Sequence, residues 1–78
     1  MSLVLYGRPD CHLCDDVRAV LRRIGVDFTE IDINSDDALF KRYLERIPVI
    51  ELDGEELYDF FVDEADLLAR LRRVRDRA

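Results

Sequence analysis

The chain has no tryptophan, one histidine, one methionine, two cysteines, two prolines and three glycines in 78 residues. Each scarcity excludes something. A closed structural zinc site takes four nitrogen or sulfur ligands, and His12 with Cys11 and Cys14 falls one short within a single chain. No apolar run approaches the ~20 residues that cross a bilayer, which predicts no membrane partner. Met1 to Tyr6 holds a short apolar run with no basic region ahead of it; a cleaved leader needs both parts, so the reading is a cytoplasmic protein. Basic residues are outnumbered, 12 against 18 acidic, for a net charge of −6. Phosphate binding needs a basic face, so nucleic acid is excluded as the main partner. The acidity reads either as a solvated surface or as a complement to a basic partner protein.

What is present suits one small globular domain spanning 1–78. A chain of this length buries roughly 60–65% of its unfolded surface. Four phenylalanines, three tyrosines and a hydrophobic content of 49% can supply the core. No repeat, linker or low-complexity segment interrupts the chain.

With so few glycines and prolines, the punctuation is informative. Ser2-Leu3-Val4-Leu5-Tyr6 is an apolar run closed by Gly7 and Pro9 and reads as a buried strand. From Cys11 the period changes: Leu13, Val17, Val20, Leu21 and Ile24 fall on one helical face, and Gly25 follows where helices end in a left-handed turn. Phe28, Ile31 and Ile33 among acidic residues predict a second strand. Asn34 and Ser35 are good caps, with Asp36 and Asp37 favoured in the first turn of a second helix carrying Leu39, Phe40, Tyr43 and Leu44. Pro48 stops that helix and opens the strand Val49-Ile50-Glu51-Leu52. Asp53-Gly54 is a strong hairpin signal leading to Leu57 and Tyr58. Asp63 caps a last helix with Leu67, Leu68, Leu71 and Val74, and the basic run Arg70, Arg72, Arg73, Arg75, Arg77 suits the negative end of its dipole. The predicted class is α/β, in the order β-α-β-α-β-β-α. The first βαβ unit is parallel and right-handed, and a four-stranded mixed sheet carries helices on both faces.

Cys11-His12-Leu13-Cys14 sits where the first strand turns into the first helix. A C-x-x-C beside a βαβ pattern reads as a redox motif. The thiolate is the reactive form of cysteine. At a helix N-terminus, Cys11 meets unpaired N–H groups and the positive end of the dipole, both of which favour the anion. Cys11 is therefore the expected nucleophile and Cys14 the resolving thiol, cycling through a Cys11–Cys14 disulfide. Positions i and i+3 on a regular helix have Cβ atoms ~5–6 Å apart, whereas a disulfide wants ~3.5–4.5 Å. The ring is also too small to restrain the unfolded chain much. The spacing suits a bond that opens and closes better than a staple. Two ordinary core cysteines remain an alternative, as does an iron–sulfur cluster or metal shared by two chains. Asp10 and Asp15 oppose a thiolate at Cys11; Arg8 and Arg18 offset them, with Arg18 spaced to pair with Asp15. His12 is an exposed first-turn residue that can tune the site.

Leu5-Tyr6-Gly7-Arg8-Pro9-Asp10-Cys11-His12-Leu13-Cys14, Arg46-Ile47-Pro48-Val49-Ile50 and Asp53-Gly54-Glu55-Glu56-Leu57 together resemble the glutaredoxins, in particular the short bacterial glutaredoxin-like family marked by Cys-His-Leu-Cys. The resemblance covers nearly the whole chain and implies a thioredoxin-like fold. It implies a cis peptide at Ile47–Pro48 beside the cysteines, with Ile47 pairing to an incoming sulfur-bearing chain as an added strand. Without it, Pro48 reads only as the end of the second helix. It implies a thiol–disulfide oxidoreductase acting on protein disulfides or glutathione mixed disulfides, with Arg8, His12, Ile47 and Pro48 facing substrate. Electrons come from glutathione or a reductase protein, with no permanently bound cofactor, no metal, and a monomeric chain. The alternatives are a redox-sensing module that binds a basic partner, or a dimeric metal or cluster carrier. One stretch departs from the family. Typical glutaredoxins carry Gly-Gly after the hairpin, leading to a helix start that holds a glutathione carboxylate. Here the stretch is Leu57-Tyr58-Asp59-Phe60-Phe61-Val62-Asp63, without glycine and with Asp59 opposing a carboxylate. Phe60 and Phe61 read as core residues or as an apolar lip for a protein substrate.

Overall fold

The computed structural model describes residues 2–77, with side chains through Val74. The side chains of Arg75 and Arg77 in the basic run, and Met1 in the first apolar run, lie outside the described set. The elements are β1 (Leu3–Gly7), α1 (His12–Ile24), β2 (Thr29–Asp32), a short 3-10 turn (Ile33–Ser35), α2 (Asp37–Tyr43), β3 (Val49–Leu52), β4 (Glu55–Asp59) and α3 (Glu64–Arg77). The sheet order is β2-β1-β3-β4. β1 and β2 are parallel, and the other two pairings are antiparallel. This is the thioredoxin-like α/β fold with its mixed four-stranded sheet. Among the described residues no helix is long and apolar enough to cross a membrane.

Alternation in the strands divides the core in two, as a period of two requires. Leu3 and Leu5 of β1 face one way, with Ile50 and Leu52 of β3, and pack against Val17 and Leu21 of α1 and Leu67 and Leu71 of α3. Tyr6 and Val49 face the other way, against Ile33, Leu39, Phe40 and Tyr43. Helices therefore cover both faces. Tyr43 is buried and stacks on Tyr6, with ring centroids 4.8 Å apart.

Three boundaries fall differently from the sequence reading. Phe28 lies before β2 and Ile33 beyond it, the latter fully buried in the 3-10 turn. Asp36, not Asn34 or Ser35, caps α2, accepting from the N–H groups of Ala38 and Leu39 at 2.8 and 3.1 Å. Asp32 has already turned the chain by accepting from Asn34 N–H at 2.9 Å, which draws Asn34 and Ser35 into a turn of their own. At the far end of the sheet, Asp53 and Gly54 take φ of +51° and +87°, the two positive values that a tight hairpin turn needs. There Asp53 exchanges backbone and side-chain bonds with Ser2 at 2.8 and 2.7 Å.

Candidate functional site

The site is assembled where β1 ends, α1 begins, and β3 starts. Pro9 occupies the second position of a turn closed by Cys11 N–H on Arg8 C=O at 3.3 Å, a place where proline's fixed φ is an asset. The turn delivers Cys11 to the N-cap of α1 in an extended conformation, where its sulfur accepts from the N–H of Cys14 at 3.2 Å. An N-cap normally uses oxygen for this bond. Here a sulfur satisfies the orphan donor. Cys11 is half-buried and open to solvent; Cys14, one turn on, is fully buried, and both are free thiols.

Cys14 is buried against the backbone of Gly7. A Cβ on Gly7 would lie 2.8 Å from Cys14 Sγ and 3.3 Å from its Cβ, closer than real side chains approach. Burial, and then the hydrogen bond with the neighbouring Cys11 sulfur, push the Cys14 thiol up to about 12. Cys14 therefore stays protonated at neutral pH. β1 carries this geometry to the prolyl loop. Tyr6 pairs with Val49 in the antiparallel ladder, so one step further the register sets Gly7 beside Pro48. The Ile47–Pro48 peptide is cis, and Pro48 is buried. Ile47 is half-buried, and its N–H is already donated to Tyr43 C=O at 3.0 Å.

The loop before Cys11 is clamped from α1. Arg18, its side chain only 11% exposed, pairs with Asp15 and with Glu30 Oε1 (2.6 Å), and its third guanidinium nitrogen donates to Arg8 C=O at 3.1 Å. The i,i+3 spacing reports the Arg18–Asp15 pairing; the hold on the Arg8 carbonyl appears only in three dimensions. Arg8 itself is half-buried. Its Nε lies 3.6 Å from Asp10, beyond hydrogen-bond reach, and is a buried donor without an acceptor among the described residues. His12 is exposed on the first turn.

The end of β4 joins the same region, because Phe60 N–H donates to Pro48 C=O at 2.9 Å. Phe60 has φ of +64°, and both Phe60 and Phe61 are exposed, at 41% and 73%. The core reading of this pair is therefore wrong. Asp59 and Glu56 are both held by Arg46, at 3.3 and 2.6 Å, and Glu56 also accepts from Arg42 and Tyr43. The Arg46 guanidinium keeps the Glu56 carboxyl below the usual carboxylate range. Gly7 is the position whose part in the site sequence reasoning missed; for Phe60 the exposure fits the apolar-lip alternative. Gly7 had read as a strand end, and no local signal reports a sulfur seven residues away. For Phe60 the missing glycine of the family pattern was the available clue.

Comparison with known proteins agrees with this architecture. The family model described as Glutaredoxin-like domain (DUF836) matches residues 2–72. The solved structure of XcR50 from X. campestris is 38% identical, covers 92% of this chain and 97% of its own, and superposes with a TM-score of 0.79. Protein Ne2328 from Nitrosomonas europaea is 32% identical over 88% of each chain, with a TM-score of 0.76. The glutaredoxin-like protein NrdH-redoxin from Escherichia coli shares the fold at 24% identity and a TM-score of 0.67, covering 91% of this chain and 95% of its own. No curated protein matches the sequence. These likenesses support a redox-type function, and a family match over nearly all of its length means that the chain belongs to the glutaredoxin-like domain family.

Proposed function

We propose that the chain is a dithiol oxidoreductase that reduces disulfides through Cys11 and Cys14. The observation that carries this reading is the sulfur of Cys11 serving as N-cap, with Cys14 N–H on it at 3.2 Å and the Cys14 thiol buried directly behind. Cys11 thiolate attacks one sulfur of the substrate disulfide. A bond forms between Cys11 and that sulfur, the substrate S–S bond breaks, and the departing thiolate takes up a proton. Cys14 then gives up its proton and attacks Cys11, forming the Cys11–Cys14 disulfide and releasing the second substrate thiol. Two electrons pass from the protein to the substrate. Two molecules of glutathione, or a dithiol reductase protein, return them, so no resident cofactor is needed.

The differing settings of the two sulfurs suit the differing steps. Cys11 is exposed enough to be met by a substrate. Cys14 is shielded and protonated, so it does not compete in the first attack. The Ile47 N–H is spent on Tyr43, so an added substrate strand would meet the Ile47 carbonyl alone. Arg8, whose side chain is one-third exposed beside Asp10, is the cation we assign to a carboxylate of glutathione. Among the described residues no three His, Cys, Asp or Glu side chains converge to hold a metal ion.

The test is turnover of a small disulfide with glutathione and, in parallel, with thioredoxin reductase as electron source. Cys11→Ser should abolish turnover with both. Cys14→Ser should stop the cycle at a mixed disulfide on Cys11, seen as one added thiol by mass spectrometry. Turnover that survives in Cys11→Ser would overturn the assignment.

A further inference from the structure

Phe60 breaks a local rule. Its φ of +64° is a value that bulky residues avoid because Cβ crowds the backbone. Phe61 N–H donates to Asp59 C=O at 2.7 Å, closing a three-residue γ-turn with Phe60 at its centre, a turn that is rare and strained with positive φ. Strain of this kind persists where the surroundings impose it and clusters at functional sites. Here the imposing contact is the Phe60 N–H bond to Pro48 C=O at 2.9 Å, which ties the turn to the prolyl loop. The turn exposes two adjacent aromatic rings. With Leu44, Phe60 and Phe61 are the large apolar side chains that lie exposed among the described residues.

Carboxylates outnumber guanidinium groups around this ledge. Asp59 precedes it and Asp63 follows it. Asp10, 78% exposed, precedes Cys11, and Asp15 is 60% exposed. The nearby cations are all matched: Arg46 by Glu56 and Asp59, Arg42 by Glu56, Arg8 by Asp10, and Arg18 by Asp15 and Glu30, which leaves Asp63 as surplus acid beside the rings. An apolar ledge rimmed by acid suits an apolar segment with positive charge further out. It does not suit a small anion.

We propose that Phe60 and Phe61 form a specificity ledge that receives the apolar residues flanking the reacting half-cystine of a basic protein segment. This rests on the exchange chemistry above and names its substrate class. The test uses the full chain and two peptides, each carrying one cysteine in a disulfide with a small uncharged thiol. In one, leucines flank the cysteine with lysines outside them; in the other, alanines replace the leucines. The wild-type chain should favour the leucine peptide by about tenfold in kcat/KM, as truncation of a buried aromatic contact implies. Phe60→Gly keeps the positive φ available and should bring that ratio close to one, with an unchanged or higher unfolding midpoint. Replacing the lysines by glutamates should slow the wild-type reaction several-fold at low salt, and the gap should close at high salt. Equal wild-type rates for the leucine and alanine peptides would overturn the ledge and leave the exchange reading standing. No reaction with any peptide, or with the small disulfide, would overturn both.

Discussion

The two ends of the sheet use their glycines for opposite reasons. At the hairpin end, Gly54 has φ of +87° and open space around any added Cβ; Gly25 after α1 is alike, at +80°. These glycines are needed for conformation. At the cysteine end, Gly7 has an ordinary strand φ, but a side chain there would strike the Cys14 sulfur. It is needed for room. Positive φ divides the same way. Asp53, a residue that tolerates the left-handed region, holds it in the hairpin; Phe60, one that does not, holds it by the prolyl loop. One end follows local rules throughout. The other breaks several of them, and departures without local benefit are expected to mark working sites.

Two substitutions test whether the contrast is real. Gly7→Ala and Gly25→Ala should each cost about 1–3 kcal/mol, the first by overpacking and the second by forcing Cβ into the left-handed region. Their effects on exchange should differ. Gly7→Ala displaces the resolving sulfur and should slow release of the mixed disulfide by roughly tenfold or more; Gly25→Ala should leave it unchanged. Urea midpoints and mass-spectrometric trapping of the mixed disulfide read both. Equal exchange rates in the two variants would erase the distinction.

A somewhat smaller effect should appear in alkali. The fold holds two groups protonated, each up to about 12: the Cys14 thiol by burial and by Cys11, and the Tyr58 phenol by burial and its bond to Asp66. Both values lie above unfolded references of about 8.5 and 10. Each group's contribution is therefore whole below its unfolded value and is lost as pH rises toward 12. Reduced protein should lose stability from about pH 8.5 upward. Oxidised protein lacks a titrating Cys14 and should hold until about pH 10, where Tyr58 takes over together with Tyr6 and Tyr43, whose phenols burial also raises. Coincident pH profiles for the two redox forms would show that Cys14 is not insulated as described.

Most of the hairpin end was legible in the sequence, and the cysteine end only in part. Val17, Leu21 and Gly25, Asp53-Gly54, and Asp63 each act through neighbours within a turn or two, so local patterns report them. The Cys11–Cys14 pair was legible for the same reason. The cap of α2 was not, because Asp32, Asn34, Ser35 and Asp36 all carry cap-competent side chains and propensity barely ranks them. The burial of Ile33 behind α2 decided the turn. For Phe60 and Phe61 the sequence leaves core and apolar lip open, because local pattern does not report exposure; their exposure follows from the tie to Pro48, twelve residues earlier in the chain. The burial of Cys14 against Gly7 is likewise a tertiary fact, set when α1 packs on β1.

The smallest expected effect concerns ion pairs, and it separates charge placement from stability. Arg46 at the cysteine end pairs with Glu56 and Asp59, and Arg23 on α1 pairs with Glu64. All these groups are a quarter or more exposed, and exposed pairs contribute about 0.2–1 kcal/mol, less in salt. Arg46→Ala and Arg23→Ala should therefore both lie within about 1 kcal/mol of wild type. Arg46 lowers the Glu56 carboxyl, so its share is whole above the unfolded carboxylate value of about 4.3 and is lost as pH falls from there through the lowered folded value. The urea midpoints of Arg46→Ala and wild type should then converge in acid. Only Arg46→Ala leaves Asp59 without its cation beside Phe60 and Glu56 with Arg42 alone, and it should speed reaction with a lysine-flanked peptide about twofold at low salt, with Arg23→Ala unchanged. A stability loss above about 2 kcal/mol in Arg46→Ala would mean that the guanidinium holds the β4 turn in place instead of setting the charge its substrate meets.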